Sequence, residues 1–166
     1  NMGRTGKARI INTSSVTCKM GEVGDRFFKV DPEHYRRFKA YPNSKLAILM
    51  FTTELARRVQ GRAITVNAVD PGVVNTGMIT MHKWYDPLAD IFFRPFIKSP
   101  ERGAMTAILL ATSDQYVNIS GGFFRNKHQV GLPEAALDVE ACQNLWLQTE
   151  QFVAGLVGSR LKKGEN

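Results

Sequence analysis

Tyr41 and Lys45 are the residues whose types and spacing most directly suggest chemistry in this sequence. A phenol and an ammonium four positions apart lie on one face of a helix, one turn from each other. A free phenol, with a pKa near ~10, is a poor proton acceptor at neutral pH, and a neighbouring positive charge favours its phenolate form. The pair is suited to proton transfer at a hydroxyl or carbonyl oxygen, although this spacing alone also arises by chance.

The sequence around this pair predicts a strand, a helix and a second strand. The β-branched run at 9–14 predicts a strand that leads into a long loop. A helical pattern runs from 42 to the C-cap region at 61 and is apolar on two faces. The second predicted strand covers 63–69 and stops at the Asp-Pro-Gly sequence over 70–72.

This order of elements determines where the candidate residues should meet. A strand, a helix and a second strand imply a parallel pair with a right-handed crossover. The chain near Ser15, Tyr41 and Pro71 should then lie at the carboxyl edge of one sheet, which is where open α/β sheets bind ligands. We therefore expect an α/β fold with its functional site at this edge.

Further elements are predicted toward the C-terminal end. Ser99 is the expected N-cap of a helix over 100–112. The Gly-Gly-Phe-Phe run at 121–124 predicts a turn into a short strand, and Pro133 introduces a final helix. The aromatic, proline-interrupted stretch at 84–97 favours a loop, and neither a repeat nor a linker divides the chain into two domains.

Composition narrows the classes of protein. The 166 residues, of which 43% are hydrophobic, suffice for one globular domain. The formal net charge of +7 is dispersed and no nucleic-acid-binding signature is present, so a solvated basic surface is favoured over nucleic-acid binding. The distant Cys18 and Cys142 suggest packing residues in a reducing compartment, and the three scattered histidines form no metal motif. We expect no membrane span and find no secretory signal at the start of the sequence.

Three segments taken together resemble the short-chain dehydrogenase/reductase family. They are the run at 10–15 that ends in Ser-Ser, the Tyr-Pro-Asn-Ser-Lys run at 41–45, and the run at 67–76. The helical sequence after the lysine and the long Ser-to-Tyr interval with its Phe-Phe pair most resemble the retinol dehydrogenase-like branch. The resemblance implies a Rossmann-type doubly wound parallel sheet, of which residues 1–166 would form the C-terminal half as a single partial domain.

The resemblance also implies a role for each candidate residue. Tyr41 would transfer the proton, while Lys45 would stabilise the phenolate and bond the nicotinamide ribose. Ser15, the second member of the Ser-Ser pair, would hydrogen-bond the substrate oxygen, with Ser14 as the alternative. The segment that receives the nicotinamide end would include Pro71, Gly72, Val74 and Thr76.

The implied activity is the NAD(P)-dependent interconversion of an alcohol and a carbonyl on an apolar substrate, such as a retinoid or a steroid. The choice between NADP and NAD rests on the family resemblance, which slightly favours NADP. The aromatic residues of the expected substrate loop fit an apolar ligand, although core packing explains them nearly as well. They are Trp84, Tyr85, Phe92, Phe93 and Phe96. An intracellular location is implied, with association with the endoplasmic reticulum or a mitochondrial membrane left open.

The sequence departs from the family pattern in one respect. The Gly-rich strand-turn-helix that holds the coenzyme pyrophosphate does not occur in it, nor does the asparagine of an earlier helix that completes the family's catalytic relay. We therefore expect this chain to be part of a longer enzyme and to be inactive alone. One alternative is a non-catalytic interaction module that forms a homodimer through the helix at 45–60. Nucleic-acid binding is a more distant alternative.

Overall fold

The computed structural model describes residues 7–25, 27, 28, 33, 35–72 and 98–163. Four strands form one sheet in the order β1-β2-β3-β4. They are β1 (Ala8–Thr13), β2 (Ile64–Asp70), β3 (Phe123–Arg125) and β4 (His128–Val130). β1 pairs in parallel with β2, β2 pairs in parallel with β3, and β3 and β4 form an antiparallel hairpin. The predicted α/β class and parallel pair are confirmed, whereas β4 was not predicted.

Four α-helices accompany the sheet in the described part of the chain. They are α1 (Arg37–Arg58), α2 (Pro100–Thr112), α3 (Glu134–Leu137) and α4 (Val139–Lys163). The sequence predicts a single helix after Pro133, but the extended backbone of Asp138, with ψ 110°, separates α3 from α4. The Asp138 carboxylate accepts a hydrogen bond from the Ala141 amide at 3.0 Å and so provides a start for the second helix.

The helix that carries the candidate pair begins earlier than predicted. Its pattern starts at Pro42 in the sequence, but α1 begins at Arg37 and includes the proline in its second turn. The Lys39 and Ala40 amides both donate to the Arg36 carbonyl at 2.9 Å, which starts the helix ahead of the proline. Because proline removes only one donor near the start of a helix, the extra turn forms in spite of it.

Helices cover both faces of the sheet, as a doubly wound arrangement requires. On one face Ala68 and Phe123 pack with buried residues of α1 and α4, including Leu49 and Leu145. On the other face Val69 and Phe124, the next residues along β2 and β3, pack with α2 and with the short 3-10 helix Asp114–Tyr116. Neighbouring residues of a strand point to opposite faces, so the apolar run of β2 serves two cores.

Candidate active site

The carboxyl ends of β1 and β2 meet α1 at Lys45. The Ser14 hydroxyl donates to the Lys45 carbonyl at 2.8 Å, and the Lys45 ammonium donates to the Thr13 carbonyl at 3.3 Å. The Ser14 amide in turn donates to the Val69 carbonyl in β2 at 2.8 Å. These contacts fix the start of α1 against the strand ends, so the lysine is held on the edge that the sequence predicts.

Tyr41 and Lys45 lie together on one side of α1. The Lys45 ammonium is 5.6 Å from the centre of the Tyr41 ring, within the range of a cation–π contact. The Tyr41 side chain is 43% exposed, so a ligand in solution can approach it. The structure therefore places a cation beside an accessible phenol ring.

The two neighbouring serines have different environments. Ser14 is buried, and its hydroxyl proton is already donated to α1. Ser15 is half-buried and is the N-cap of a 3-10 helix over Val16–Met20, where its oxygen accepts from the Thr17 amide at 3.3 Å. An accepting hydroxyl keeps its proton for a second partner. The Ser15 hydroxyl therefore keeps its proton for another acceptor, whereas the Ser14 hydroxyl has already donated its own.

Cys18 is a buried thiol on the short 3-10 helix that follows β1. Burial raises the pKa of the Cys18 thiol above its ordinary value, although the positive charge of Lys19 acts in the opposite direction. A protonated, fully buried thiol is not a nucleophile at neutral pH. Within the described residues, no group of three or more His, Cys, Asp or Glu side chains could hold a metal ion.

The end of β2 forms the other side of the site. Gly72 has φ +79°, which side chains other than glycine rarely adopt, and its amide donates to the Asp70 carboxylate at 2.8 Å. The buried Asp70 also pairs with Arg125, with 3.3 Å between Oδ2 and Nε. Sequence reasoning missed this aspartate, although an Asp two residues before a turn glycine is a recognisable signal.

Several predicted residues fall outside the described part of the chain. Val74 and Thr76 of the coenzyme segment are among them. The aromatic residues of the expected substrate loop are the others: Trp84, Tyr85, Phe92, Phe93 and Phe96. The roles of these residues therefore stay predictions.

A parallel α/β sheet with a Tyr/Lys pair at its carboxyl edge defines a candidate dinucleotide-dependent site. The sequence profile described as short chain dehydrogenase matches residues 1–84. The chain belongs to the short-chain dehydrogenase family.

Named relatives and solved structures agree with this assignment. Human retinol dehydrogenase 14 is 35% identical over 150 residues, a match that covers 88% of this chain and 44% of that protein. Human retinol dehydrogenase 13 is 34% identical over 152 residues and is covered to 46%. The chain thus spans less than half the length of these relatives.

Two solved structures show the same fold. A putative uncharacterized protein from Mycobacterium paratuberculosis aligns with a TM-score of 0.63 at 25% identity, over 87% of this chain and 50% of that one. A putative NAD(P)-dependent gluconate 5-dehydrogenase from Beutenbergia cavernae, with bound NADP, aligns at 0.56 and 25% identity, over 75% and 46%. Among the described helices, none has the length and apolar character needed to cross a membrane.

Proposed function

We propose that these residues form the catalytic half of an NAD(P)-dependent oxidoreductase that interconverts an alcohol and a carbonyl. The observation that carries the proposal is the Tyr41–Lys45 pair, held against the carboxyl ends of β1 and β2 by the bonds of Ser14 and Lys45. Tyr41 gives or takes the proton at the substrate oxygen, and Ser15 donates a hydrogen bond to that oxygen. Lys45 places its positive charge beside the Tyr41 ring.

The residues at this edge fit the nicotinamide end of a coenzyme. The polar groups of Lys45 and Ser15 lie on the same edge as the Pro71–Gly72 turn that follows β2. The coenzyme supplies or accepts the hydride when it is bound. In the proposal it is held by Tyr41, Lys45, Pro71, Gly72, Val74 and Thr76. NADP is favoured over NAD as this coenzyme.

The substrate that we propose is apolar, such as a retinoid, a steroid or another lipid-like alcohol or carbonyl. Support comes from the relatives named retinol dehydrogenase and from the aromatic content of residues 84–96. An intracellular enzyme that meets its substrate at an endoplasmic reticulum or mitochondrial membrane belongs to the same proposal.

The 166-residue chain alone is expected to be catalytically inactive. Its sequence has no Gly-rich turn to hold a pyrophosphate, and placing the reactants in well-oriented reactions supplies about 7–11 kcal/mol of the barrier reduction. Titration of NADPH and NADH into this chain, followed by nicotinamide fluorescence, should show no saturable binding. Saturable binding together with retinal reduction would contradict this expectation.

Replacing Tyr41 by Phe tests the catalytic assignment. The experiment uses an enzyme form in which a Gly-rich dinucleotide-binding unit precedes these residues. We expect kcat to fall by about 10²- to 10⁴-fold because only the proton-transferring hydroxyl is removed, while coenzyme affinity stays largely intact. Tyr35→Phe is the matched control, since Tyr35 is exposed and lies before α1. Turnover of Tyr41→Phe close to that of the control would show that the assignment is wrong.

A second candidate function is an interaction module that acts through α1 and its neighbour α4. Phe51 of α1 stacks on Trp146 of α4, with ring centres 4.9 Å apart, so part of the predicted second face is covered within the chain. The supporting observation is that α4 leaves Leu147, Val153 and Val157 about half exposed. A homodimer that includes the helix at 45–60 would bury this surface.

Sedimentation tests the homodimer. The wild-type chain should sediment as a dimer, and Val153→Asp should shift it to monomer because a charge would be buried in the interface. Leu147→Lys introduces a charge at a second exposed position of α4 and should also shift the chain to monomer. A wild-type chain that stays monomeric at every concentration would remove this candidate.

A further inference from the structure

The turn after β2 depends on other elements for its conformation. Pro71 has no amide proton, and Gly72 takes a left-handed conformation with φ +79°. Among the described residues, the Gly72 amide donates to the Asp70 carboxylate at 2.8 Å. One hydrogen bond and a flexible glycine do not by themselves select a single conformation. A contact from another element can therefore fix the position of this turn.

Lys98 makes that external contact. Its ammonium donates to the Pro71 carbonyl at 3.3 Å and to the Asn126 side-chain oxygen at 2.5 Å. Its side chain packs closely over Gly72, since a Cβ added to this glycine would be 3.0 Å from the Lys98 Nζ and 3.2 Å from its Cε. Lys98 immediately precedes Ser99, the N-cap of α2. One ammonium thus joins the end of β2, the start of α2 and the β3–β4 hairpin.

The turn between β3 and β4, which contains Asn126, is bonded to neighbouring elements. Asn126 and Lys127 have φ 50° and 69°, so two consecutive non-glycine residues occupy the left-handed region. The Lys127 amide donates to the Thr106 hydroxyl of α2 at 3.2 Å, and the Tyr116 hydroxyl donates to the Lys127 carbonyl at 3.1 Å. Both sides of this residue are therefore bonded to other elements, so the hairpin tip can serve as an anchor.

The partners of Lys98 show that it does more than balance a charge. The nearby carboxylate, Asp70, already pairs with Arg125 at 3.3 Å, whereas the contacts of Lys98 in the described chain are two neutral oxygens. A lysine kept only for solubility would extend its ammonium into water. Here the ammonium is bound between the Pro71 carbonyl and the Asn126 side-chain oxygen, and its stem packs on Gly72.

We propose that Lys98 is a positioning residue that fixes the Pro71–Gly72 turn by bridging it to Asn126. This inference rests on the proposed function only where it concerns the coenzyme, because this turn is part of the segment assigned to the nicotinamide end. The bridge fixes the conformation of the turn before a ligand binds. Binding therefore does not have to include the entropic cost of ordering the turn. Lys98 acts through the turn and not on the reacting atoms.

Amide hydrogen exchange in the 166-residue chain tests the bridge without any coenzyme. The measured quantity is the exchange rate of the Gly72 amide divided by that of Val69, a buried residue of β2. Lys98→Met keeps the stem and removes the donors, and should raise this ratio at least about fivefold because a turn freed from its bridge opens locally. An unchanged ratio would overturn the proposal, and dividing by Val69 removes any general loss of stability.

Three further variants complete the exchange experiment. Asn126→Gly keeps the left-handed backbone and removes the side-chain acceptor, so it should raise the ratio as Lys98→Met does. Lys98→Arg keeps a cationic donor and should restore most of the protection. Lys127→Met removes a neighbouring ammonium that does not bond to Pro71, and should leave the ratio unchanged. A Lys127→Met effect as large as that of Lys98→Met would overturn the specific role of Lys98.

Coenzyme kinetics then separate this inference from the proposed function. In the enzyme form used for Tyr41→Phe, Lys98→Met should raise the coenzyme KM at least about fivefold with a smaller change in kcat. A raised exchange ratio with an unchanged coenzyme KM would show that the bridge is structural only, which overturns the positioning role. If no coenzyme binds and Tyr41→Phe has no effect, the proposed function fails, and the exchange ratio still decides whether the bridge exists.

Discussion

The two edges of the sheet differ in the size of their cavities and in the groups that face them. The amino edge has a cleft of about 630 Å³, and the described residues that line it include four basic residues and no carboxylate. The cavity at the carboxyl edge beside Lys98 is smaller, at about 340 Å³. The C-terminal ends of α1 and α2 lie at the amino edge, where the helix dipoles are negative. Of the basic residues there, Arg57 pairs with Glu54, whereas Arg9 completes a helix end.

Arg9 illustrates this structural role. Its guanidinium donates to the Leu110 carbonyl at 2.9 Å and to the Ser113 carbonyl at 2.7 Å, so it satisfies acceptors at the C-terminal end of α2. At the opposite edge the hydroxyl of Ser15 and the phenol of Tyr41 remain partly exposed at the strand ends. The comparison teaches that a large cavity lined by basic groups can serve structure, so the size of a cavity does not by itself indicate a catalytic site.

The largest expected difference between the two edges is in catalysis. Lys45→Ala should lower kcat/KM by about 10²-fold or more in an enzyme form that binds coenzyme, since it removes the charge beside Tyr41. Both turnover and coenzyme affinity should suffer. Arg62→Ala at the amino-edge cleft is the matched control and should leave both unchanged. Equal losses in the two variants would mean that the edges do not differ in function.

The next effect concerns stability at the amino edge. Arg9→Met should lower the free energy of unfolding by about 1.5–3 kcal/mol, because two carbonyls lose a charged donor. Lys7→Met, on an exposed neighbour in the same cleft, should change it by less than about 0.5 kcal/mol. Chemical denaturation of the two variants measures the difference. A neutral Arg9→Met would show that the helix end is satisfied by water instead.

Local sequence signals explain which parts of the fold could be predicted. β1 and β2 follow from β-branched runs, and α2 follows from Ser99 and Pro100, because each signal lies within the element itself. The hairpin strand β4 could not be predicted in this way, since it depends on pairing with β3. The same holds for the early start of α1, which a proline-based rule places too late.

The candidate site shows the same division. Tyr41 and Lys45 could be predicted because a helix fixes the relation of two residues one turn apart. Lys98 could not, because its contact with Pro71 joins residues 27 positions apart through tertiary packing. The hydrogen bond from the buried Ser14 hydroxyl to α1 could not be predicted either, since it depends on the packing of α1 on β1.

A smaller effect is expected at the carboxyl edge from Gly72. Gly72→Ala should cost about 1–2 kcal/mol of unfolding free energy, since φ +79° is unfavourable for alanine and the new methyl would crowd Lys98. Gly131→Ala is the control, because a Cβ there meets nothing within 4 Å. Thermal unfolding should show a lower Tm for the first variant alone. Equal Tm values would indicate that the turn relaxes without cost.

The smallest effect concerns the N-terminal end of α2, opposite the end that Arg9 completes. A hydrogen bond from the Ser99 hydroxyl, assisted by the backbone amide of Glu101 itself, holds the pKa of the Glu101 carboxyl below its ordinary value. A lowered folded-state pKa gives stability that is present above the unfolded-state pKa and is lost as pH falls through the folded-state pKa. Because Glu101 is exposed, the contribution is small, and it should disappear on acidification below about pH 4. Nuclear magnetic resonance titration of Glu101 in wild type and Ser99→Gly measures it, since glycine remains an acceptable N-cap but has no hydroxyl. The pKa should rise toward its ordinary value in the variant, and a pKa that does not move would assign the shift to the helix dipole instead.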